Sequence, residues 1–289
     1  MKSVIDISVI IPHRDTPKLL NRLLDSIPLF PNLEVIVVDN SVVPLEKNEL
    51  SREAVILYSD VNGGAGRARN MGIDGAGGRW LLFADADDYF VKGAFDVLLD
   101  CILSTSDIIY FGMDSINEST GEGADRGFPY TSLVRDYLVD NKNELNLRLR
   151  FDSPCCKLIS LPFVKLHGLR YDECVAGNDV YFSISCGYLA NSIHAVDFLL
   201  YVATESPKSL TKRVDCEALK SRLLVRLKMN SFYKKVGLPE FQQSIAYYLY
   251  KSLSFGPFRF VEFLYYVLKA NQNPFVGFRN WPATFKKRS

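Results

Sequence analysis

The feature that most constrains the fold is an alternation of short apolar runs with amphipathic stretches over the first hundred residues. The apolar runs lie at residues 7–11, 34–38, 54–58 and 80–84. Because they are short and rich in β-branched residues, they predict parallel strands buried on both faces. Thr16-Pro17 opens one of the intervening stretches and is typical of a helix start. Strands that alternate with helices predict an α/β fold with a mostly parallel sheet flanked by helices.

A segment with polar residues lies just past each of these predicted strands. In chain order they are Pro12-His13-Arg14, Asp39-Asn40-Ser41, the loop that begins at Asn62, and Asp85-Ala86-Asp87-Asp88. In open α/β sheets, ligands bind beyond the carboxyl ends of the strands. We therefore expect these segments to meet in one binding site.

Composition excludes several other classes of protein. The 289 residues carry a net charge of +1, so no strong field attracts nucleic acid, and we expect no such partner. The six cysteines form no CxxC pair and only three histidines are present, which argues against structural zinc. Asp6 interrupts the apolar residues before Pro12, so we expect no signal peptide at the start, and no run approaches the ~20 apolar residues of a spanning helix. We expect a cytoplasmic protein with reduced thiols.

The carboxylates at the end of the fourth predicted strand could hold a metal ion. In an extended segment, Asp85 and Asp87 point to the same side. Two hard oxygen ligands suit Mg²⁺ or Mn²⁺, with diphosphate oxygens completing the coordination. The alternative is a solvated acidic turn before the next helix, and the residues alone leave both interpretations open.

The glycine-rich loop, residues 62–66, precedes a predicted helix, where backbone N–H groups can approach an anion. Its spacing does not match the dinucleotide fingerprint, since Arg69 stands where the third glycine belongs. Arg69 and Arg67 could bind a phosphorylated ligand or lie at the surface. Asp39 could accept hydrogen bonds from a base or ribose, or simply form a turn. His13 could contact a ligand or cap its loop.

Asp179 follows Gly177-Asn178 at the predicted start of another helix. A carboxylate there could act as a general base on an acceptor hydroxyl. The residues alone favour an N-terminal cap, because Asn and Asp are common at helix starts. The rest of this middle region predicts a strand at residues 108–111, a surface loop at 117–128 and helical structure over 133–149.

In order, these segments resemble glycosyltransferase family 2, an inverting family with the Rossmann-like GT-A fold. The resemblance runs from about Ile7 to Tyr188 and rests on residues 8–12, 35–41, 62–72 and 78–88. Each segment is short, but the ordered series is specific. It implies that Pro12, Asp39 and Arg69 line a base pocket. The predicted nucleotide-sugar site also includes His13, Arg14, Asn62, Gly64, Asp85 and Ala86.

The resemblance also implies the chemistry. Asp87 would bind Mn²⁺ or Mg²⁺, and Asp85 would contact the metal or the ribose. Asp179 matches the catalytic base of the family, although Asn178 replaces the usual Glu. Lys157 is expected to be structural.

The implied reaction is a single displacement with inversion, from a nucleotide-sugar (UDP-sugar expected) to an acceptor hydroxyl. A hexose or N-acetylhexosamine would pass to a saccharide or lipid-linked saccharide during synthesis of a bacterial surface polysaccharide or glycolipid. One alternative is a nucleotidyltransferase, although residues 12–16 lack the glycine-rich loop such enzymes use. The other is a non-catalytic nucleotide-sugar-binding protein.

We predict a catalytic domain at residues 1–215, with a nucleotide-binding half at 1–112 and an acceptor half at 113–215. Residues 216–289 form a helical region that is aromatic and basic, with Glu262 the only acid after Tyr250. Such a region can lie on an anionic membrane, here the inner face of the plasma membrane. Alternatively it packs as a subdomain or forms a homodimer contact, which aromatic stripes at helical spacing favour.

Overall fold

The computed structural model describes residues 5–206 and 215–276, and it confirms the α/β class. Within these residues, one sheet contains β1 (Ile7–His13), β2 (Leu33–Asp39), β3 (Val55–Tyr58), β4 (Trp80–Phe83), β5 (Tyr89–Phe90), β6 (Ile108–Asn117), β7 (Lys157–Ser160) and β8 (Ile193–Glu205). The helices are α1 (Pro17–Asp25), α2 (Gly64–Gly75), α3 (Ala94–Cys101), α4 (Phe128–Val139), α5 (Glu144–Arg150), α6 (Leu161–Leu166), α7 (Val180–Leu189), α8 (Cys216–Lys235), α9 (Ala246–Ser252) and α10 (Pro257–Lys269).

The strand order is β3-β2-β1-β4-β7-β6-β8-β5. The first four strands of this order are parallel, as the alternation predicts. Beyond β4 the sheet is mixed: β7 is antiparallel to both neighbours, β8 is parallel to β6, and β5 is antiparallel to β8. Sequence reasoning predicted only part of β6 in this half. Strands such as β5 and β7 are too short to show a period of their own.

The helical structure predicted over residues 133–149 is divided between two helices. α4 ends at Val139 and α5 begins at Glu144, with a 3₁₀ turn over Asn141–Asn143 between them. The Asp140 side chain accepts a hydrogen bond from the Lys142 backbone N–H at 3.0 Å, which offers the chain an alternative to the next helical turn. The predicted loop is present at residues 118–127, although β6 continues to Asn117.

Helix α2 packs closely on the centre of the sheet. A Cβ atom at Gly72 would lie 2.3 Å from Cγ2 of Ile10, a fully buried residue of β1. Glycine at this position therefore lets the helix backbone approach the strand. The close approach fixes the distance of α2 from the sheet. Helix α2 in turn carries Arg69 toward the edge where the strands end.

The described residues fall into two compact units. The first comprises residues 5–173 and 182–206 and contains the sheet. The second comprises residues 174–181 and 215–276. Its own apolar core consists of Leu219, Leu223, Leu227, Ile245, Leu249, Phe263 and Val267. The predicted division at residue 215 stays a prediction, and the aromatic, basic stretch 277–289 lies outside the described residues.

Helix length and hydropathy bear on membrane insertion. Across residues 5–206 and 215–276, no helix combines the length and the apolar character needed to cross a bilayer.

Candidate active site

Strand register brings the predicted site segments to one edge of the sheet. His13 at the end of β1 pairs with Asp39 at the end of β2. β4 lies on the other side of β1, with Phe83 opposite Ile10. Because Ala84 N–H then donates to the Ile10 carbonyl at 3.1 Å, the chain leaves β4 at this same edge and continues into Asp85.

Asp39 is the centre of a buried hydrogen-bond cluster and is only 2% exposed. Its carboxylate accepts from the Ser41 hydroxyl at 2.6 Å and from the Leu45 N–H at 2.8 Å. Burial raises the pKa of Asp39, but the hydrogen bonds from Ser41, Leu45 and His13 outweigh burial and lower it overall. Asp39 is therefore an ionised acceptor at neutral pH.

The His13 ring orients this carboxylate. Its Nδ1 lies 2.8 Å from Asp39 Oδ1, and its Nε2 accepts from the Thr16 backbone N–H at 3.2 Å. Because Nε2 is an acceptor, the ring proton of a neutral His13 is on Nδ1 and is donated to Asp39. Both nitrogens are thus engaged within the protein. Of the neighbouring predicted residues, Arg14 is exposed beside Asp15, and Pro12 is half-buried.

Asp85 is held by groups from two distant parts of the chain. Arg69 of α2 places Nη2 at 2.6 Å from Asp85 Oδ1, and its guanidinium lies 5.4 Å from the centre of the Tyr171 ring. The hydroxyl of Tyr201, on β8, accepts from the Asp85 N–H at 2.8 Å. The Asp85 side chain keeps 27% exposure, so part of its carboxylate still faces solvent.

The next two carboxylates differ in their surroundings. The Asp87 carbonyl accepts from the Arg22 guanidinium, while burial and the nearby Asp85 raise the pKa of the Asp87 side chain. Asp88 is 2% exposed and accepts from the Thr204 N–H at 2.7 Å. Burial, with repulsion from Asp85 and Asp87, raises the pKa of Asp88 well above its usual range.

These carboxylates fit a divalent cation that a ligand helps to hold. Among the described residues, no group of three or more His, Cys, Asp or Glu side chains could hold a metal ion by itself. Mg²⁺ is usually bound by one or two carboxylates together with substrate phosphates. Asp85 and Asp87 lie two residues apart in this turn, and a bound cation would offset the burial and the repulsion from Asp85 that raise the pKa of Asp87.

The glycine-rich loop leads directly into α2. Gly64 has a φ of +69°, a left-handed conformation that favours glycine, and it begins the helix. Asn62 is exposed just before it. Arg67 lies at the surface with Nη2 3.0 Å from Asp60, whereas Arg69, two residues later, is buried against Asp85.

Asp179 belongs to the second unit and directly precedes α7. Ser221 of α8 anchors the segment before it, since its hydroxyl donates to the Ala176 carbonyl at 2.8 Å and accepts from the Ala176 N–H at 3.1 Å. Gly177 has a φ of +79°, which turns the chain toward the helix. Asp179 itself is half-buried.

Lys157 is fully buried in the first unit. Its Nζ donates to the Phe151 carbonyl at 2.8 Å and lies 4.8 Å from the centre of the Phe151 ring. These contacts are those of a structural residue.

Four residues of this region were not predicted from the sequence. Arg22, Tyr201 and Thr204 hold the acidic turn, and Arg126 lies close enough for its charge to act on the carboxylates. They come from α1, β8 and the loop after β6, and Arg22 is 65 residues from Asp87. No local motif marks them, because their proximity arises only from the pairing of distant strands.

The fold is that of a GT-A glycosyltransferase. The crystal structure of S. aureus TarS residues 1–349 in complex with UDP-GlcNAc matches with a TM-score of 0.59 and 22% identity, over 87% of this chain and 73% of that chain. The chain belongs to glycosyl transferase family 2, whose model matches residues 8–166.

Related sequences are bacterial. Poly(ribitol-phosphate) beta-N-acetylglucosaminyltransferase TarS of Staphylococcus aureus is 26% identical over 212 residues, 68% of this chain and 35% of TarS. The uncharacterized glycosyltransferase EpsJ of Bacillus subtilis is 25% identical over 250 residues, 80% of this chain and 71% of EpsJ. The chain thus spans about a third of the length of TarS.

Proposed function

We propose that this chain is an inverting, metal-dependent glycosyltransferase that transfers a sugar from a nucleotide-sugar to an acceptor hydroxyl. The observation that carries the proposal is the fixed position of Asp85. Arg69 and Tyr201 hold it beside Asp87, at the sheet edge where Asp39 also lies. Membership of glycosyl transferase family 2 supports the same reaction class.

Asp39 supplies an ionised, pre-oriented acceptor for an N–H of the nucleotide base or a ribose hydroxyl. Asp85 and Asp87 would hold Mn²⁺ or Mg²⁺, which when bound neutralises charge on a departing diphosphate. By its match to the family motif, Asp179 removes the proton of the acceptor hydroxyl. A single displacement would then invert the configuration at the anomeric carbon.

UDP-sugar is the proposed donor, with a hexose or an N-acetylhexosamine as the transferred group. Support comes from TarS, whose name records a β-N-acetylglucosaminyltransferase and which crystallises with UDP-GlcNAc. TarS acts on poly(ribitol-phosphate), a polymer. We infer a saccharide or lipid-linked saccharide acceptor in bacterial surface polymer synthesis for this chain.

The test is release of nucleoside diphosphate from a panel of nucleotide-sugars with Mn²⁺ and candidate acceptors. Asp87→Asn and Asp179→Asn should each lower release by about 10²–10⁴-fold, the range that metal or general-base loss produces. Asp25→Asn, an exposed carboxylate at the end of α1, is the matched control and should keep wild-type activity.

Each alternative gives a different result in this assay. Release that persists in both variants contradicts the mechanism. Donor binding without any release would indicate a non-catalytic binding protein. Formation of a nucleotide-sugar from a nucleoside triphosphate and a sugar phosphate would indicate a nucleotidyltransferase.

We also infer a cytoplasmic location with peripheral contact at the inner face of the membrane. All six cysteines are free, as a reducing compartment predicts. Helix α10 buries Phe263 and Val267 in the core of the second unit, which supports packing as a subdomain. Its other face exposes a stripe at helical spacing, Phe258, Val261, Tyr265 and Leu268, with Phe258 89% exposed.

Vesicle flotation tests this contact. Phe258→Glu/Leu268→Glu should abolish binding to vesicles that contain phosphatidylglycerol, because the charges oppose burial of the stripe at an anionic surface. Leu103→Glu, at a leucine that is 84% exposed in the first unit, is the control. If the wild-type protein is a dimer that does not bind vesicles, and the double variant is a monomer, the stripe is instead a homodimer contact.

A further inference from the structure

One face of helix α8 follows the chain segment that contains Asp179. The row of side chains on this face recurs every three or four residues, which is the spacing of neighbours on a helix. Its members are Ser221, Val225, Lys228 and Phe232. The segment, residues 174–181, belongs to the same compact unit as α8. Because α8 lies beyond residues 8–166, which the family model matches, this row is not part of the motifs that identify the family.

Ser221 forms a pair of hydrogen bonds with one backbone residue of the segment. Its hydroxyl donates to the Ala176 carbonyl at 2.8 Å and accepts from the Ala176 N–H at 3.1 Å. Ser221 is buried, with 9% exposure, and Ala176 stands three residues before Asp179. Because one hydroxyl is both donor and acceptor to the same residue, it fixes the distance and the direction of the Ala176 backbone.

The contacts continue along the segment on both sides of the predicted base. A Cβ at Gly177 would lie 3.6 Å from Cγ1 and Cγ2 of Val225, so the left-handed turn at this glycine packs on the helix. Beyond the predicted base, the Tyr181 ring lies edge-on to Phe232 with 5.9 Å between ring centres, and Lys228 Nζ lies 3.5 Å from the centre of the Tyr181 ring. Helix α8 therefore contacts the segment before and after the predicted base.

These contacts matter because proton transfer depends on position. A general base must lie within about 2.6–3.2 Å of the atom whose proton it removes. A misplacement of about 1 Å can cost about 100-fold in rate. Asp179 is half-buried and directly precedes α7, so the backbone of residues 176–181 determines where its carboxylate lies. Helix α8 fixes that backbone.

We propose that Ser221 is a positioning residue for the general base, and that α8 holds the segment of Asp179 for proton transfer. This rests on the proposed function, in which the acceptor oxygen bonds to the anomeric carbon, its proton passes to Asp179, and the nucleoside diphosphate leaves with the bonding electron pair. Donor binding is assigned to Asp39, Asp85 and Asp87 of the first unit. Ser221 should therefore influence turnover and leave donor affinity unchanged.

The test follows release of nucleoside diphosphate, first from UDP-GlcNAc and then from the donor panel, with water and then saccharides as acceptors. Ser221→Ala should lower kcat about 10- to 100-fold through misplacement of the base. The KM for the donor should stay within about twofold of wild type. In an Asp179→Asn background, Ser221→Ala should change the residual kcat by less than about twofold, because a positioning residue has no effect once the group it positions is absent.

Two further variants separate positioning from stability. Ser221→Thr keeps the hydroxyl and should keep kcat within about threefold of wild type. Ser252→Ala is the matched control, since Ser252 is fully buried in the same unit and donates to the Leu249 carbonyl at 2.7 Å. It removes a comparable hydrogen bond on α9 and should keep the wild-type kcat, with a loss of stability in urea similar to that of Ser221→Ala.

Wild-type kcat in Ser221→Ala would overturn the proposal, as would an equal loss of kcat in Ser252→Ala or a loss that adds in full to that of Asp179→Asn. If Ser221→Ala does not fold, Gly177→Ala replaces it, because its methyl group has room beside Val225 but strains the turn at a φ of +79°. Lowered kcat with unchanged donor KM then supports the proposal, and wild-type kcat overturns it. Wild-type release by Asp179→Asn, or no release by the wild-type protein, would instead contradict the proposed function, so the two failures are distinguishable.

Discussion

Replacement of Gly72 by alanine probes how α2 is seated on the sheet. The new methyl group would lie 2.3 Å from Ile10 Cγ2 and 3.3 Å from its Cβ and Cγ1. Ile10 is fully buried in β1, which pairs with strands on both sides. Neither the strand nor the β-branched side chain can move away easily, so the helix must shift.

The expected change in the free energy of unfolding of Gly72→Ala follows from two opposing effects. Alanine is a better helix former than glycine by about 1 kcal/mol. Overpacking of a dense core costs about 1–3 kcal/mol, and a 2.3 Å approach belongs at the upper end. We expect Gly72→Ala to lower the free energy of unfolding by about 2 kcal/mol. Because Arg69 lies one turn earlier on α2, affinity for nucleotide should fall as well.

The assay is urea unfolding of a double-mutant cycle. Ile10→Ala removes the atoms in conflict and alone costs about 2–5 kcal/mol. The double variant should be more stable than the sum of the single effects predicts, by about 1–2 kcal/mol, because the new methyl group partly fills the cavity. Gly75→Ala is the control on the same helix, since its methyl group meets only the end of the Leu57 side chain at 3.1 Å. Additive effects, or a Gly72→Ala variant as stable as wild type, would refute this reasoning.

Two further predictions concern the acidic turn. The folded-state pKa of Asp88 is raised above 3.8, the ordinary pKa of an aspartate side chain. The contribution of Asp88 to the free energy of unfolding therefore falls as the pH rises from 3.8 toward the raised pKa. Asp88→Asn, whose amide oxygen can still accept from the Thr204 N–H, should raise the unfolding midpoint without metal at about pH 8 and change it little at about pH 3. Tyr201→Phe leaves the Asp85 N–H without its acceptor and should cost about 1–3 kcal/mol in urea unfolding, with weaker Mn²⁺-dependent diphosphate binding. An Asp88→Asn protein destabilised at both pH values, or wild-type behaviour of Tyr201→Phe, would contradict these expectations.

The sequence by itself determined the parallel half of the sheet. The apolar runs that form β1, β2 and β4 are buried on both faces. Such burial gives each strand a continuous apolar sequence, which can be recognised without knowledge of the neighbouring strands. The ordered motifs also indicated the family, which the match over residues 8–166 shows. The site residues that these motifs name stay predictions, although strand register brings Asp39 and Asp85 to one edge.

Only the tertiary structure decided which side chains surround those residues. Local periodicity records whether a residue is buried, but it does not record which strand becomes its neighbour. Tyr201 and Thr204 reach the acidic turn because β8 pairs with β5, the short strand that directly follows that turn. The same applies to Arg69, which the sequence assigned to a base pocket and which the packing of α2 on β1 pairs with Asp85.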